Sequence, residues 1–344
     1  MIEVNIQAEK IKKILISRTD AIGDVVLTLP LAGYLKEKFP HASLAFLGKT
    51  YTYPVISKCS HVDEFYNYDT FSGFDADGRI QFLKDINPDL ILHVFPREDV
   101  ASAARSAGIK YRIGTSHRLF HWWTCNQLVS FSRKNSALHE AQLNFQLLKN
   151  FGLEEIPTLD KIAGLYGLAV KDLPPEHYLT WINSAKSTFI IHPGSNASAR
   201  EWSLAHYRDL MRYLPSAKFQ FAITGTESEQ DQLQDFLSML PANAINLVGK
   251  LSLDELLAFI ARVDGIVSAS TGPLHIAAAL GKHAIGIYPP IRPMHPGRWA
   301  PAGVHSKYFC VERACNDCRN NPKKCHCMNE ISSASVADYM LALV

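Results

Sequence analysis

The chain alternates short apolar, β-branched runs with amphipathic stretches, and it does so twice along its length. The first set offers strands at 13–17, 43–48, 89–95 and 111–114, and helices near 24–38, 80–86, 98–107 and 137–151. Strands that alternate with helices predict a parallel sheet covered by helices. Residues 116–135, rich in His, Arg and Trp, interrupt this alternation of strands and helices and are predicted to form a loop or irregular insert.

The alternation restarts after Pro174-Pro175, the natural linker. The second set offers strands at 188–192, 218–224, 244–248, 265–269 and 283–288, and helices at 204–214, 227–240, 253–263 and 273–280. We therefore predict an α/β protein with two Rossmann-like domains that face an interdomain cleft. The predicted domains are residues 1–172 and 173–330, followed by a C-terminal helix within 331–344. Ligands of such sheets bind at the carboxyl ends of the strands, so the loops there are the candidate sites.

The composition excludes several classes of protein. With 35 basic and 33 acidic residues and a net charge of +2, the chain lacks the basic excess of a nucleic-acid binder. No segment approaches the roughly 20 apolar residues that span a bilayer. The first residues show no apolar stretch with a cleavage site. We therefore expect a cytoplasmic protein with no nucleic-acid partner.

Two common nucleotide-binding signatures are missing. No G-x-G-x-x-G follows the first strand and no Walker A sequence occurs, which disfavours dinucleotide oxidoreductases and P-loop ATPases. No Asp-x-Asp cluster stands in a predicted cleft loop. We expect neither a cofactor nor a metal, with helix ends and Arg or Lys side chains stabilising an anion instead.

The loop 18–24, after the first strand, carries Arg18, Asp20 and Asp24. An Asp near a helix start commonly caps backbone N–H groups and complements the helix dipole. A carboxylate at the end of a strand can instead take a proton from an attacking hydroxyl, and Arg18 can hold an anion. Two Asp residues allow one of each role, so the residues alone leave both interpretations open.

Three loops of the second set carry residues suited to binding phosphates or ribose hydroxyls. In 190–203, small polar residues let the backbone approach phosphates and Arg200 offers a bidentate donor, although an ordinary surface loop fits equally. In 268–281, Pro273 at a helix start marks an anion site, and His275 is either a phosphate ligand or a core histidine. Glu227, at another helix start, is either a cap or a ligand of ribose hydroxyls.

Together these loops resemble glycosyltransferase family 9, the heptosyltransferase family. The resemblance rests on "SRTDAIGDVVLTLP" (17–30), "HPGSNASAREWS" (192–203), "TGTESE" (224–229), "STGPLHIAAALGK" (270–282) and the tail "CHCMNEISSASV" (325–336). The motifs occur in the same order over most of the chain. Residues 50–180 match the family only in their alternation of predicted strands and helices. The resemblance implies the GT-B fold. It also implies an inverting, metal-independent transfer, usually of heptose from ADP-heptose to a lipopolysaccharide core acceptor.

The family's functional residues carry over by position. The resemblance implies that Asp24 is the catalytic base and that Arg18 is a cation for the acceptor. It implies a donor site made of the following residues: Ser195, Asn196, Arg200, Glu227, Leu251, Ser270, Thr271, Gly272 and His275. Within that site Glu227 would bind ribose and Leu251 would pack near the base. The better-known members have Asp where this chain has Ser270, so the donor sugar could differ from heptose.

Residues 111–135 hold Arg118, Arg133, further cations and two tryptophans. They fit a solvated loop. They fit equally a platform for a lipid-linked, anionic saccharide acceptor, in peripheral contact with the inner face of the inner membrane. Cations attract anionic lipids, and tryptophans favour membrane interfaces. We therefore take Arg118 and Arg133 as acceptor-binding candidates.

Five of the seven cysteines crowd between Cys310 and Cys327. Cys315 and Cys318 form half of a zinc-site pattern, but Cys325-x-Cys327 is not its common second half. We expect structural thiols rather than a zinc site.

Two other functions stay open. One is a transferase that uses a different nucleotide sugar for another surface glycan, and the other is a non-catalytic nucleotide-sugar binding protein. Asp24 argues against the second, because a protein that only binds needs no base at that position.

Overall fold

The computed structural model describes residues 10–133, 136–153, 155–195, 199–315 and 325–344. The chain forms two compact units, of which the first ends at Ala169 and the second begins at Val170. Within the described ranges, no helix has both the length and the apolar character needed to cross a membrane. Asn196 and Cys318, singled out above, lie outside the described residues.

The first unit is built on a parallel sheet whose described strands number six, in the order β3-β2-β1-β4-β5-β6. Its strands are β1 Lys13–Ser17, β2 Ser43–Gly48, β3 Glu64–Asn67, β4 Leu90–His93, β5 Tyr111–Thr115 and β6 Gln127–Val129. Its helices are α1 Ile22–Val26, α2 Leu29–Lys38, α3 Tyr53–Ile56, α4 Tyr68–Gly73, α5 Ala76–Ile86, α6 Glu98–Ser106, α7 His121–Thr124, α8 Glu140–Phe145 and α9 Leu159–Ala163. Short 3₁₀ turns span Thr50–Thr52 and Gln146–Phe151.

The second unit repeats this plan, with the order β12-β11-β10-β7-β8-β9 among its described strands. Its strands are β7 Ser187–His192, β8 Phe219–Ile223, β9 Ala244–Asn246, β10 Gly265–Ser268, β11 His283–Ile287 and β12 Ser306–Phe309. Its helices are α10 Glu176–Leu179, α11 Leu204–Tyr213, α12 Gln230–Leu237, α13 Leu253–Ile260, α14 Gly272–Ala279, α15 Pro296–Trp299 and α16 Ser333–Leu341. Turns of 3₁₀ helix span Glu227–Glu229 and Cys327–Glu330.

The central strands match the sequence expectation because each has a run of apolar residues that is buried on both faces of the sheet. The predicted loop at 116–135 is a correction, since it contains α7 and the edge strand β6. The single helix predicted over 24–38 is also wrong. Pro30 cannot donate a hydrogen bond to the carbonyl of residue 26, so the helix breaks between α1 and α2.

The helix at the end of the chain packs into the core of the second unit. Val336, Ala337 and Met340 of α16 are buried against residues of that core. The buried Trp202 donates its indole N–H to the carbonyl of Ile331 at 3.0 Å, just before α16 begins. Trp202 therefore stabilises the packing of α16 and the residues before it against the core of the second unit.

We expect Trp202→Phe to lower the free energy of unfolding by about 1–3 kcal/mol, because the Ile331 carbonyl loses its donor inside the core. Denaturant unfolding followed by circular dichroism measures the change. Tyr213→Phe, at an exposed aromatic on α11, is the matched control and should stay within about 0.5 kcal/mol of the wild type. Equal midpoints for the two variants would contradict this role for Trp202.

Candidate active site

The strand order in each unit reverses at one point, between β1 and β4 in the first and between β7 and β10 in the second. At such a reversal the connections leave the sheet in opposite directions and open a crevice at the carboxyl ends of the strands. The loop 18–24 follows β1, and the segments 193–195 and 269–271 follow β7 and β10. The candidates on these three segments therefore lie where this topology favours a ligand, whereas Arg118, Arg133, Glu227 and Leu251 follow other strands.

The first unit holds a buried guanidinium at this point. Arg18 directly follows β1 and is only 2% exposed. Its Nε donates to Asp20 Oδ1 at 2.7 Å, its second amino group contacts the carboxylate of Asp24, and the remaining one donates to Asn144 Oδ1 at 3.3 Å. A buried charge needs such partners, because its desolvation is otherwise very unfavourable.

Helix α8 supplies the rest of this cluster. Glu140 and Asn144 lie one turn apart, on the same face of the helix. Glu140 is 1% exposed, pairs with the guanidinium of Arg133 and lies 3.6 Å from that of Arg18. Asn144 accepts from Arg133 at 3.2 Å and donates to the carbonyl of Leu27 at 3.0 Å. The cluster thus joins the end of β1 to α8 and to the break between α1 and α2.

Three carboxylates, of Asp20, Asp24 and Glu140, share two guanidiniums in this cluster. Burial, together with the nearby carboxylates of Asp20 and Glu140, raises the pKa of Asp24 to about 6, although the charge of Arg18 lowers it. The side chain of Asp24 still keeps 21% of its surface exposed. Asp24 is therefore an accessible carboxylate with a pKa near neutrality, which is a property of general bases.

Asp24 pairs with Arg18 and does not cap helix α1. Asp24 lies in the first turn of α1, but the helix is capped at Ala21 with no side-chain hydrogen bond. The carboxylate of Asp24 faces Arg18, so a capping role does not account for it. The guanidinium of Arg18 is engaged by Asp20 and Asp24, and it fixes the orientation of the Asp24 side chain. A contact between Arg18 and the acceptor stays a prediction.

The two acceptor candidates of the segment 111–135 lie in different surroundings. Arg133 joins the buried cluster through Glu140. Arg118 is exposed and lies close in the sequence to Leu119, Trp122 and Trp123, three exposed apolar side chains. The basic and aromatic residues of this segment therefore divide into two groups. Arg133 belongs to the buried charge cluster, and Arg118 belongs to an exposed region with apolar side chains.

In the second unit, the end of β10 is tied to the end of β7. The hydroxyl of Ser268 donates to the carbonyl of His192 at 2.9 Å and lies 2.8 Å from the hydroxyl of Thr271. Helix α14 then begins at Gly272, and its N-cap Thr271 makes no side-chain capping bond. The first N–H groups of α14 and its positive dipole end are available to an anion. Thr271 and His275 are buried at this helix start.

The segment after β7 holds Ser195, whose amide and hydroxyl both donate to Glu201 Oε1, at 2.8 and 2.7 Å. Gly194 leaves room for Glu229, because a Cβ at position 194 would lie 2.1 Å from Glu229 Oε1. Burial lowers the pKa of His192 to about 4, so its ring is neutral at physiological pH. Arg200 is half-buried in the same segment.

Glu227 and Leu251 lie on two loops that touch. Gly249 has a φ of +69°, and a Cβ there would lie 3.1 Å from the Glu227 Cα. The amide of Gly249 donates to the carbonyl of Gly225 at 3.0 Å. The 3₁₀ turn Glu227–Glu229 is capped by Thr226 in a capping box, in which Glu229 accepts from the amide of Thr226 at 2.7 Å. Capping therefore does not account for Glu227, whose side chain is exposed.

Several residues of these clusters were missed by sequence reasoning. They are Glu140, Asn144, Glu201 and Glu229. The pair Glu140 and Asn144 did carry a signal, because two polar residues four apart on a largely apolar helix share one face. Tyr288 was also missed; its hydroxyl contacts the side chain of Ser270 and donates to the carbonyl of Trp299.

The cysteines in the described ranges are free thiols. Cys325 Sγ and Cys327 Sγ are 3.6 Å apart. Over the described ranges, no three His, Cys, Asp or Glu side chains converge on a potential metal position. Since Cys318 lies outside those ranges, the choice between structural thiols and zinc stays a prediction.

Comparisons with known proteins agree with this architecture. A candidate glycosyltransferase of Haemophilus influenzae, whose name gives neither donor nor acceptor, is 26% identical over 87% of this chain and 89% of its own. Lipooligosaccharide heptosyltransferase 2 of the same organism is 22% identical over 82% of this chain and 84% of its own. The structure of Escherichia coli ADP-heptose lipopolysaccharide heptosyltransferase II superposes with a TM-score of 0.75 at 18% identity, over 96% of this chain and 98% of the other.

This likeness confirms the GT-B fold class expected from the sequence. The model of glycosyltransferase family 9 (heptosyltransferase) matches residues 99–329, well over half of the chain. The chain is a glycosyltransferase and belongs to glycosyltransferase family 9, the heptosyltransferase family.

Proposed function

We propose that the protein transfers heptose from ADP-heptose to a lipid-linked, anionic acceptor of the lipopolysaccharide core, with inversion and without a metal. The observation that carries the proposal is Asp24, an accessible carboxylate whose pKa lies near 6 at the carboxyl end of β1. The names of two related proteins support the donor and acceptor classes, since they are a lipooligosaccharide heptosyltransferase and an ADP-heptose lipopolysaccharide heptosyltransferase.

In the proposed reaction, the carboxylate of Asp24 accepts the proton of an acceptor hydroxyl. The hydroxyl oxygen attacks the anomeric carbon of the donor from the face opposite the diphosphate. The new C–O bond forms as the bond to the diphosphate oxygen breaks, so the anomeric configuration inverts. Arg18 holds the carboxylate in place, and a pKa near the working pH makes it an efficient proton acceptor.

We assign the donor to the second unit. The N–H groups at the start of α14 favour the charge that develops on the leaving diphosphate, and Arg200 adds a cation. Glu227 is exposed and can accept hydrogen bonds from ribose hydroxyls, next to the loop that carries Leu251. The remaining donor residues are Ser195, Asn196, Ser270, Thr271, Gly272 and His275.

A second candidate donor is a different nucleotide sugar, for another surface glycan. The observation that favours it is Ser270, whose neutral hydroxyl contacts Tyr288. A neutral hydroxyl supplies no charge-assisted hydrogen bond to a sugar. Thermal shifts with ADP-, UDP-, GDP- and dTDP-sugars distinguish the two donors, because only the matching nucleotide stabilises the protein.

Asp24→Asn should lower kcat by about 10²–10⁴-fold, because the amide cannot accept the proton in the transition state. The affinity for ADP, measured by calorimetry, should stay within about threefold, since the donor site lies in the other unit. Asp85→Asn, at an exposed carboxylate on α5, is the matched control. Turnover near the wild-type value in Asp24→Asn, with the fold intact, would refute the assignment of the base.

The pH profile of kcat/KM should fall on the acid side with a midpoint near pH 6, because Asp24 is protonated below its raised pKa. Asp20→Asn should move this midpoint to lower pH. The variant removes a negative charge that raises the pKa of Asp24 and leaves Arg18 to lower it. A midpoint that does not move, or that rises, would contradict the coupling between the two carboxylates.

We further propose that the acceptor is met at a membrane surface. Leu119, Trp122 and Trp123, here called the tryptophan surface, are 78%, 63% and 54% exposed. The buried His121 and Thr124 anchor α7 beneath them. Exposed Arg118 and Arg105 add positive charge beside the apolar side chains. Exposed tryptophans next to cations suit the interface of an anionic bilayer.

The double variant Trp122→Ser, Trp123→Ser should lose at least tenfold in binding to vesicles that contain about a third anionic lipid, measured by co-sedimentation. Arg118→Glu should weaken binding to these vesicles and leave binding to neutral vesicles unchanged. Tyr213→Ser, at an exposed aromatic of the second unit, serves as the control. If the double variant binds as Tyr213→Ser does, the tryptophan surface is not the docking surface.

A further inference from the structure

A long part of the second unit carries no acidic residue. Between Asp264 and Glu312 the sequence has neither Asp nor Glu, although the chain as a whole has 33 acidic residues among 344. This stretch includes β10, α14, β11 and β12. It contains the cations Lys282, Arg292, Arg298 and Lys307.

Two of these cations lie on one loop at the carboxyl edge of the sheet. The loop 288–300 follows β11, which pairs in parallel with β10, so it leaves the sheet at the same edge as the segment 269–271. Arg292 and Arg298 both belong to this loop, with His295 between them. The loop therefore brings positive charge to the edge where the donor is proposed to bind.

The loop is held in a defined conformation. Its first residue, Tyr288, is buried, and the Tyr288 hydroxyl donates to the carbonyl of Trp299 near the other end. Ile291 is also buried, and its carbonyl accepts from the amide of Met294 at 2.8 Å. Arg298 stacks its guanidinium 4.9 Å from the centre of the Trp299 ring. The loop is thus a scaffold that can present its cations in fixed positions.

The charges of Arg292 and Arg298 act on the imidazole of His295, which lies between them in the sequence. Burial lowers the pKa of His295, and the charges of Arg292 and Arg298 lower it further. The imidazole is therefore neutral at physiological pH and can donate or accept one hydrogen bond. Arg292 is exposed and makes no hydrogen bond or ion pair within the described ranges.

An anion bound beside Arg292 and Arg298 is stabilised by the positive charge of both side chains. Guanidinium groups suit phosphate and carboxylate groups, because their planar fork makes two parallel hydrogen bonds to either. Tyr288 contacts Ser270 as well as Trp299, so the loop is joined directly to the proposed donor segment.

We propose that Arg292, His295 and Arg298 form a second anion-binding site, distinct from the start of α14, which takes a phosphate or carboxylate group carried by one of the two substrates. The role of the site in substrate recognition rests on the proposed transferase function, whereas its affinity for an anion does not. The anionic group belongs either to the donor sugar or to the acceptor saccharide, and kinetic constants distinguish the two sources.

The test is a calorimetric titration with inorganic phosphate, on the free protein and on protein saturated with ADP. The variant is Arg292→Gln, Arg298→Gln, and the control is Arg212→Gln, at an arginine of α11 that is well exposed. We expect the double variant to lose at least fivefold in phosphate affinity in both titrations. The control and the affinity for ADP should stay within twofold of the wild type.

Two results would overturn the proposal. The first is equal phosphate affinity in the double variant and in Arg212→Gln. The second is a loss that appears only without ADP, because the arginines would then hold the nucleotide's own diphosphate. Phosphate binding needs no catalysis, so failure of the transferase assignment, seen as full turnover in Asp24→Asn, leaves this test unaffected.

Steady-state kinetics then identify the substrate that carries the anion. A rise of at least fivefold in the KM of the donor alone, in the double variant, places the group on the donor sugar. The same rise in the KM of the acceptor alone places it on the acceptor. Unchanged KM values for both substrates, together with a confirmed phosphate site, would contradict the substrate-recognition role.

Discussion

The burial of the Arg18 guanidinium is the interaction on which the first unit's site depends. A charge taken out of water must be matched by partners, and here they come from the loop after β1 and from α8. The same contacts draw the carboxylate of Asp24 into partly desolvated surroundings. The buried contacts of Arg18 therefore have two effects. They stabilise the loop after β1, and they hold Asp24 in surroundings that raise its pKa.

The two units share one sheet order but gather different side chains at its reversal. In the first, the reversal of strand order gathers carboxylates around two guanidiniums, which suits proton transfer. In the second, it gathers a helix start, small hydroxyl residues and an acid-free loop, which suits an anionic leaving group. We therefore propose that the base lies in the first unit and that the diphosphate binds in the second. This separation explains why the loop after β1 has acids where a phosphate-binding turn has glycines.

Much of this could be predicted from the sequence, for physical reasons. Strands such as β1 and β10 are apolar on both faces, so their own residues specify them. The edge strands β3, β6 and β12 are short and partly exposed, and only pairing with a neighbour defines them. Asp24 was found through the family motif. Glu140 and Asn144 were not, because they meet Arg18 only after more than a hundred residues of chain have folded.

Burial within this cluster of charges gives Asp24 a pKa near neutrality, on which its proposed role as a base depends. Carbon-13 NMR of aspartate carboxyl groups, followed against pH in the wild type and in Asp24→Asn, measures that pKa directly. In the wild type, one Asp signal should titrate with a midpoint near pH 6, and this signal should be absent from the variant. A wild-type spectrum in which the Asp24 signal titrates near the ordinary value of about 3.9 would contradict it.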